Sequence, residues 1–517
     1  MHYYFFYMLL SLTLTLTSQG FRVRHYLPGA STHLSKAIFE ATAGNYITGG
    51  ITVEVMNNVS YNRLCIMGLN AQGQITWTKK YGNSKFEYLN NNLISRSYYK
   101  KGGNIYYSGC VRDSLNKQIG VLIKFNLNGD TLWQKIYRDT DPLEDVIPQM
   151  VTSSVDGGFL ITGFFQNNSN TPYSKCLLIK TDANGNELWR KKIAKVTPNT
   201  QDGKAIVQDA LSKKIVIVGY QYIGNASSWS SYDNVLVLDS LGLKLEQKTF
   251  AGFGGVLVDL IQTQDDKFVA VGQKTYPNTL GGTNLIKSFA LKFDIENIAN
   301  PVWVLNGFDD LTLTNFFTCL SELPNGDIMI GGIIDTLQVL NIPNNCLTRL
   351  TKLSSNGTLL SNRYYNYNTT PGDFNYQTLR SLEQTADGSW IAAIECINFP
   401  SPNPFFFVKF DSTGCDSTLA YCQSQVVSGV YQNTLNDVNV GVFPNPASDR
   451  FTVTINNSTS EKGMELHVFD LSGREIKRLT LANEKEVVDI SDLCKGVYIL
   501  RLTQNSKLVY TSKLIKQ

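Results

Sequence analysis

The sequence DANGNELWRKKI, residues 182–193, combines a tight turn with a tryptophan in the segment that follows. Two close variants precede it, NAQGQITWTKKY at residues 70–81 and NLNGDTLWQKIY at residues 126–137. Their tryptophans are spaced by 56 residues each time: Trp77, Trp133 and Trp189. A fixed period of this size is typical of proteins built from stacked copies of one structural unit.

Seven units of this kind can be followed from His33 to about residue 420, and each begins with a strand that ends in a tight turn. The turns lie at Gly44, Gly102-Gly103, Asp156-Gly157, Lys213, Asp266, Asn325-Gly326 and Asp387-Gly388. An apolar run with a glycine follows in six units: Gly50, Gly109, Gly163, Gly219, Gly272 and Gly332, with Ile394 in the seventh. A variable loop and two further strands complete the unit, which predicts the four-stranded blade of a β-propeller.

The tryptophan position lies in the fourth strand, where Trp303 repeats it in the fifth unit. We expect the large ring to fill the wedge between neighbouring blades, because a single sheet cannot bury both of its faces. The first unit leaves GFRVRHYLP, residues 20–28, in front of it. This segment is predicted to supply the outer strand of the seventh blade, and the alternative is DSTLAYC, residues 416–422.

Composition agrees with an all-β chain, since 40 glycines and 52 tyrosines plus phenylalanines suit turns and strands. The net charge of +3 is spread along the chain, which argues against nucleic acid as a partner. Residues 1–20 are apolar enough for a signal peptide, and no later apolar run is long enough to cross a membrane. Cys415 and Cys422 are spaced for a local disulfide, whereas Cys65, Cys110 and Cys176 lie in apolar strand patterns.

The last part of the chain, residues 441–517, alternates apolar and polar residues in short runs and predicts a small immunoglobulin-like β-sandwich. The organisation that follows is a signal peptide at 1–20, a seven-bladed propeller at 21–422, a polar linker at 423–440 and this second β domain at 441–517.

Two family resemblances follow from these patterns. The turn-plus-tryptophan repeat resembles propeller repeats of exported Bacteroidota proteins, and residues 441–517 resemble the type A C-terminal sorting domain of type IX secretion substrates. The sorting pattern is carried by Pro444, Asn445, Pro446, Gly473, Lys495, Gly496 and Tyr498. This resemblance implies passage through the periplasm to the cell surface or the medium. It also implies contact with the secretion machinery and its sorting peptidase, followed by release or attachment to surface lipopolysaccharide.

The variable loops concentrate on one face of a propeller, and loops on a rigid scaffold commonly bind ligands. Their aromatic residues are suited to stacking on sugars or to gripping a protein. The candidate ligand-binding residues are Tyr173, Tyr222, Trp229, Tyr232 and Tyr276. We therefore expect a binding module for a glycan or protein ligand, with no cofactor and no metal.

Two alternatives stay open. One is a carboxylate-dependent hydrolase or lyase acting on carbohydrate, since acids in the loops are available to form a pair. Those acids are Asp141, Glu144, Asp145, Asp202, Asp309, Asp310 and Asp373. The other is a purely structural or adhesive surface protein. Only four histidines occur in the chain. Nucleophilic triads and metal sites built on histidine therefore have almost no candidate residues, and no catalytic residue is expected.

Overall fold

A computed structural model describes most of the chain. The described ranges are 20–83, 86–89, 96–114, 116–167, 173–193, 200–225, 228–250, 254–276, 285–306, 314–335, 346–365, 367, 374–399, 402–416, 439–456, 464–470, 475–481, 483, 485–504 and 507–517. Residues 1–19 of the expected signal peptide and 423–438 of the expected linker lie outside them. The structure divides into two compact units, the second of which contains residues 426–517.

The first unit is a ring of seven blades, and within each blade neighbouring strands pair antiparallel. A parallel bridge between Cys346 and Tyr376 joins blades 6 and 7 in one eight-stranded sheet. The strands of each blade follow each other in chain order except in blade 7. Blade 1 consists of β2 (Ala30–Thr42), β3 (Asn45–Met56), β4 (Val59–Leu69) and β5 (Ile75–Tyr81). Blade 2 consists of β6 (Glu87–Tyr88), β7 (Tyr98–Lys101), β8 (Asn104–Arg112), β9 (Gln118–Asn126) and β10 (Thr131–Tyr137). Blade 3 consists of β11 (Glu144–Ser153), β12 (Phe159–Asn167), β13 (Tyr173–Thr181) and β14 (Glu187–Ile193).

The later blades repeat this order. Blade 4 consists of β15 (Thr200–Gln208), β16 (Ile215–Asn225), β17 (Ser228–Leu238) and β18 (Lys244–Lys248). Blade 5 consists of β19 (Val256–Gln262), β20 (Phe268–Tyr276), β21 (Leu285–Phe293) and β22 (Trp303–Asn306). Blade 6 consists of β23 (Asn315–Glu322), β24 (Ile328–Asp335), β25 (Cys346–Leu353) and β26 (Leu359–Tyr365). Blade 7 consists of β27 (Phe374–Gln384), β28 (Trp390–Phe399), β29 (Phe405–Phe410) and β1 (Arg22–His25).

The outer strand of blade 7 comes from the other end of the chain. Strand β1 pairs antiparallel with β29, with Arg22 opposite Val408, and the amide of Lys409 donates to the carbonyl oxygen of Phe21 at 2.8 Å. The prediction that residues 20–28 supply this strand is confirmed. Pairing of the N-terminal strand β1 with β29 of the last repeat therefore closes the ring.

The first turn of every blade contains left-handed backbone at the positions of the predicted tight turns. Lys213 and Asp266 adopt φ values of 60° and 59° at the positions where other blades carry glycine. The second hairpin turn also repeats, because its leading Asn or Asp side chain accepts backbone amides two and four residues on. Asp182 Oδ1, for example, accepts the amides of Asn184 and Asn186 at 2.9 and 2.8 Å. Such local hydrogen bonds are the reason that Asn and Asp favour turns.

The repeated glycine of the second strand faces a β-bulge in the innermost strand. Register shifts of this kind occur at equivalent points of six blades, for example between Pro148 and Met150. A Cβ atom added to Gly163 would lie 2.1 Å from the carbonyl oxygen of Ile147, and one added to Gly219 would lie 2.0 Å from that of Asp202. A bulge presses the backbone against the neighbouring strand, so glycine is required opposite it.

The repeated tryptophan packs on the turn glycine of the next blade. A Cβ atom added to Gly129 would lie 2.6 Å from Trp77, and one added to Gly185 would lie 2.7 Å from Trp133. Trp189 covers Gly242 and Trp303 covers Gly357 in the same way. The tryptophan and the glycine therefore recur together because each pair forms one contact between blades, which confirms the expected role of the ring.

Cysteines are buried in the blades as the apolar patterns predict. Cys65, Cys110 and Cys176 are buried in the core. Cys415 is disulfide-bonded, and its expected partner Cys422 lies outside the described part of the chain.

The second unit contains two antiparallel sheets. One consists of β30 (Asn439–Phe443), β31 (Arg450–Asn456) and β34 (Lys485–Asp489). The other has the order β33 (Glu475–Leu481), β32 (Met464–Phe469), β35 (Gly496–Gln504) and β36 (Lys507–Lys516). Phe451 and Val488 of one sheet share a buried core with Val468, Leu500 and Leu514 of the other. This is the β-sandwich that the sequence predicts.

Candidate functional site

Tyr222 is the expected ligand-binding residue with the clearest exposed ring. It lies near the loop end of β16, where 36% of its surface is exposed, and it meets the ring of Tyr220 edge-on at a centroid distance of 5.2 Å. Both side chains point to the same side of the blade because they are two residues apart in a strand. Tyr222 therefore has a supporting aromatic ring beneath it.

A buried polar cluster fixes that support. The hydroxyl of Tyr220 donates to Asp202 Oδ2 at 2.7 Å, and Ser174 of blade 3 donates to the other carboxylate oxygen. The ammonium group of Lys204 lies 5.1 Å from the centre of the Tyr220 ring and 5.5 Å from that of Phe164. Burial, together with the Asp202 charge, raises the pKa of Tyr220, so its hydroxyl remains a donor at neutral pH. Contacts from blades 3 and 4 thus hold Tyr220, the ring on which Tyr222 packs.

Tyr232 does not join Tyr222 in one platform. In the pairing of β16 with β17, Tyr222 is opposite Ser231 and Tyr232 is opposite Gln221. Directly opposed residues of an antiparallel pair share a face, and successive residues alternate. The two tyrosine rings therefore lie on opposite faces of blade 4.

The remaining expected aromatics are distributed over other positions. Tyr276 ends β20 in blade 5, is half-buried and has the ammonium group of Lys274 5.1 Å from its ring centre. Burial raises the pKa of Tyr276. Tyr173 opens β13 opposite Asn167, and Trp229 is opposite Gly224 in blade 4, but both side chains lie outside the described part of the structure.

The sequence places the candidate acids in loops, whereas Glu144 and Asp145 begin β11 and Asp202 lies in β15, so that placement is wrong for these three. All the candidate acids that the structure describes are engaged by partners. Glu144 lies 2.5 Å from the ammonium of Lys192 and 3.4 Å from that of Lys175, with 4% of its side chain exposed. Asp145 accepts the amide of Gln118 at 3.2 Å, and Asp141 accepts that of Leu143 at 2.9 Å. Asp202 belongs to the cluster under Tyr222. Asp309, Asp310 and Asp373 fall outside the described ranges.

A cavity of about 500 Å³ lies on the ring axis, and sequence reasoning did not identify it. The innermost strands of all seven blades line it, from Phe39 in blade 1 to Leu382 in blade 7. Arg96, which precedes β7, forms an ion pair with Asp259 of blade 5 in which Nε and Oδ1 are 2.7 Å apart. The repeat could have indicated Arg96, because this residue aligns with Lys36 and Arg380, the charged residues at the bulges of blades 1 and 7.

Within the described residues, no group of three or more His, Cys, Asp or Glu side chains is arranged to hold a metal ion. The same part of the chain contains no helix that is long and apolar enough to span a membrane.

The residues of the expected sorting pattern surround the last strand of the second unit. Asn445 donates from Nδ2 to the carbonyl oxygen of Lys513 at 2.6 Å and accepts the amide of Ile515 on Oδ1 at 2.9 Å. Pro444 and Pro446 flank it, and the amide of Ala447 donates to the carbonyl oxygen of Ile515 at 2.8 Å. The Asn445 side chain thus hydrogen-bonds to two residues of the terminal strand, Lys513 and Ile515.

The other pattern residues lie around the start of β35. The hydroxyl of Tyr498 donates to the carbonyl oxygen of Cys494 at 2.7 Å, closing the turn that contains Lys495 and Gly496. Gly473 falls outside the described residues.

Comparison with known families assigns this unit. Residues 441–517 match the family of secretion system C-terminal sorting domains. This segment is a type IX sorting domain. The protein is accordingly secreted to the cell surface or beyond it. The recognised sorting domain covers only the end of the chain, and the propeller precedes it.

One curated relative is Ulvan lyase NLR42 from Nonlabens ulvanivorans, which is 34% identical over 77 residues. The match spans 15% of this chain and only 14% of that protein. Its length equals that of the sorting domain, residues 441–517.

Solved structures similar to the chain include the β-propeller domain of the Trilobed protease from Pyrococcus furiosus, with 9% identity, a TM-score of 0.40 and coverage of 76% of this chain and 99% of that one. Another is Drosophila Semaphorin 2a, with 9% identity, a TM-score of 0.42 and coverage of 97% and 98%.

Proposed function

We propose that the protein is an exported binding module that engages a glycan or protein ligand at the loop face of its propeller. The observation that carries this proposal is the exposed ring of Tyr222 on a base fixed by Tyr220 and Asp202. A rigid aromatic surface binds with little loss of conformational entropy. The half-buried Tyr276 of the next blade offers a second aromatic contact on the same face.

The proposed organisation is a signal peptide at 1–20, a propeller at 21–422, a linker at 423–440 and the sorting domain. We further propose that the sorting peptidase removes this domain after passage across the outer membrane. Release into the medium or attachment to surface lipopolysaccharide would follow.

A carbohydrate-active enzyme is the second candidate function, and the similarity to an ulvan lyase is the observation that favours it. That similarity has the length of the sorting domain, so it supports a shared export route more than a shared reaction. The ion pairs of Glu144 with Lys192 and Lys175 also occupy its carboxylate oxygens, which makes them less accessible to a substrate.

A glycan array combined with product analysis on the full chain tests the proposal. Tyr222→Ala is expected to weaken binding of a glycan that the array identifies by roughly tenfold, the loss typical of one stacking contact. Tyr26→Ala is the matched control, because Tyr26 is 53% exposed and outside the site. Equal losses in both variants would refute the Tyr222 site.

Product formation in the same mixtures decides between the two functions. Binding without turnover is expected for the module. If the protein cleaves an array glycan and the Asp202→Asn variant does not, the binding proposal is wrong and the protein is an enzyme.

Export is tested with Asn445→Ala. Loss of both contacts to the terminal strand is expected to reduce surface delivery and leave more chain in the periplasm, as measured by fractionation and immunoblotting. Asn483→Ala, an exposed asparagine of the same domain that bonds to Glu486, is the control. Normal delivery of the Asn445 variant would contradict the role proposed for this residue.

A further inference from the structure

The axial cavity has a charged bridge across it. Arg96 enters from blade 2 and reaches Asp259 of blade 5 and Leu320 of blade 6, whose carbonyl oxygen accepts from Nη2 at 2.7 Å. Blade 2 lies on the opposite side of a seven-membered ring from blades 5 and 6, so this side chain crosses the axis. The bridge forms one wall of the cavity.

Asp259 is fully satisfied by this arrangement. Its side chain is buried completely, and it accepts the amides of Leu260 and Leu320 at 2.9 and 3.0 Å in addition to Arg96. Burial raises the pKa of Asp259, which Arg96 and the two amides oppose. The carboxylate therefore fixes the guanidinium in place.

Arg96, in contrast, does not use all of its N–H groups in these contacts. A guanidinium carries five N–H groups, and the bonds to Asp259 and Leu320 use Nε and Nη2. Nη1 donates no hydrogen bond to any residue in the described ranges, and 32% of the side chain is exposed. Because Arg96 lines the cavity, this open edge is available to a molecule inside it.

The other two cations that line the cavity, Arg380 and Lys100, are ion-paired as Arg96 is. Nε of Arg380 lies 2.6 Å from Glu395, and the ammonium of Lys100 lies 3.0 Å from Glu383. Apolar side chains supply much of the remaining wall, including Phe39, Met150, Val207, Leu260 and Leu382. The cavity thus combines one open guanidinium edge with an apolar interior, within the size range of small-molecule sites.

We propose that the axial cavity binds a small organic acid, with its carboxylate on the open edge of Arg96 and its apolar body against Phe39, Val207 and Leu382. The planar N–H fork of arginine matches the two oxygens of a carboxylate. An apolar wall favours an alkyl or aryl body over a sugar, whose hydroxyl groups would lose hydrogen bonds to water. This site is separate from the loop face.

Isothermal titration of the full chain at neutral pH tests this site with hexanoate, hexanol and inorganic phosphate. Hexanoate is expected to bind, whereas hexanol lacks the charge and phosphate lacks the apolar body, so both are expected to bind at least roughly tenfold more weakly. Equal affinity for hexanol would show a merely apolar cavity, and equal affinity for phosphate would show a merely anionic one. Either result would overturn the proposal.

Two variants place the binding in the cavity. Arg96→Lys keeps a cation beside Asp259 but removes the fork, and Val207→Trp places a bulky ring on the wall that is proposed to contact the apolar body. Each is expected to weaken hexanoate binding by roughly tenfold or more. Arg138→Lys is the control, since Arg138 pairs with Asp113 at 2.8 Å and does not line the cavity.

Unchanged binding in the folded Val207→Trp variant would exclude the cavity. Should Arg96→Lys fail to fold, Val207→Trp alone decides the location and the hexanol comparison decides the chemistry.

Discussion

The junction between blades 1 and 2 and the junction between blades 7 and 1 use the same contacts from different parts of the chain. In the first, Trp77 covers Gly129, and the hydroxyl of Tyr81 bonds to the carbonyl oxygen of that glycine. In the second, Phe21 covers Gly73, and His25 Nε2 lies 2.8 Å from the carbonyl oxygen of Gly73.

The comparison shows what these two junctions share. In each, a flat ring covers the turn glycine and a polar ring four residues later reaches its carbonyl oxygen. The junction of blades 3 and 4 keeps only the first contact, since Trp189 covers Gly242 but Ile193 stands four residues later. Phenylalanine and histidine make the two contacts as well as tryptophan and tyrosine do. The difference is connectivity, because β1 is held in blade 7 only by pairing and packing.

Removing the closing strand is expected to have the largest effect. A chain that begins at Tyr26 loses the burial of Phe21 and the pairing with β29, and we expect it to be less stable than a chain that begins at Gly20 by at least about 4 kcal/mol. Chemical denaturation followed by tyrosine and tryptophan fluorescence measures the change.

Addition of a synthetic peptide of residues 20–27 serves as the control for this truncation. Because strands can be supplied in trans, the peptide should restore most of the lost stability. A truncated chain with an unchanged unfolding midpoint would show that β1 does not close the ring.

Acid is expected to weaken the closing junction more than the others, because His33 is buried beside it. His33 accepts the amide of Leu27 on Nε2 at 3.0 Å, stacks on Phe405 and is fully buried. Burial, assisted by the charge of Lys80, lowers the pKa of His33 to about 4.

Between about pH 4 and pH 6.5, His33 therefore binds fewer protons in the folded state than in the unfolded chain. The stabilisation that comes from the low pKa of His33 is fully present above pH 6.5. It is lost as the pH falls from 6.5 towards about 4, by about 3 kcal/mol in total. Unfolding free energies measured across this window should fall less steeply in His33→Gln, which cannot titrate. Parallel profiles for both proteins would assign the acid effect to other groups.

Alanine at the turn glycines compares the tightness of the two junctions directly. Gly129 and Gly73 both have φ of 76°, and a Cβ atom there would lie 2.6 Å from Trp77 and 2.7 Å from Phe21, respectively. Left-handed strain and ring displacement together should cost about 2 to 3 kcal/mol in each variant.

Gly388→Ala is the matched control for these two variants. Its φ is 79° and a Cβ atom meets nothing within 4 Å, so only the strain of about 1 kcal/mol remains. A Gly73 variant as mild as the Gly388 variant would mean that the closing junction is looser than the continuous one.

The smallest change is expected for His25→Tyr, which introduces the residue of the equivalent position in blade 1. The phenol can donate to the carbonyl oxygen of Gly73 as Tyr81 does to Gly129, so stability at pH 7 should change by less than about 1 kcal/mol. Thermal unfolding measures it. His25→Ala removes the hydrogen bond and should cost more, and the reverse order would contradict the equivalence of the two positions.

The repeat made much of the fold predictable. The position of Lys213 in the unit predicts a turn there although no glycine is present, and its φ of 60° confirms the alignment. The contact of Trp77 with Gly129 also follows from two features that recur with the same period. Local chemistry repeated in every blade is visible in a sequence because the copies can be compared.

The site was less predictable because it depends on register and on contacts that occur once. Tyr222 and Tyr232 lie on opposite faces, a consequence of the hairpin register that loop composition does not reveal. The Arg96–Asp259 pair joins two blades through residues far apart in the chain, and no spacing rule relates them. Alignment of the bulge positions identifies Arg96 as charged but not which acid it meets.

The pairing of Arg22 with Val408 also sets an order of assembly. Strand β1 can take its place only once β29 has formed, because β29 is its pairing partner among the described strands. Two chains maturing side by side can exchange these segments and form a strand-swapped dimer with every blade complete. Dilution during refolding should therefore favour monomers.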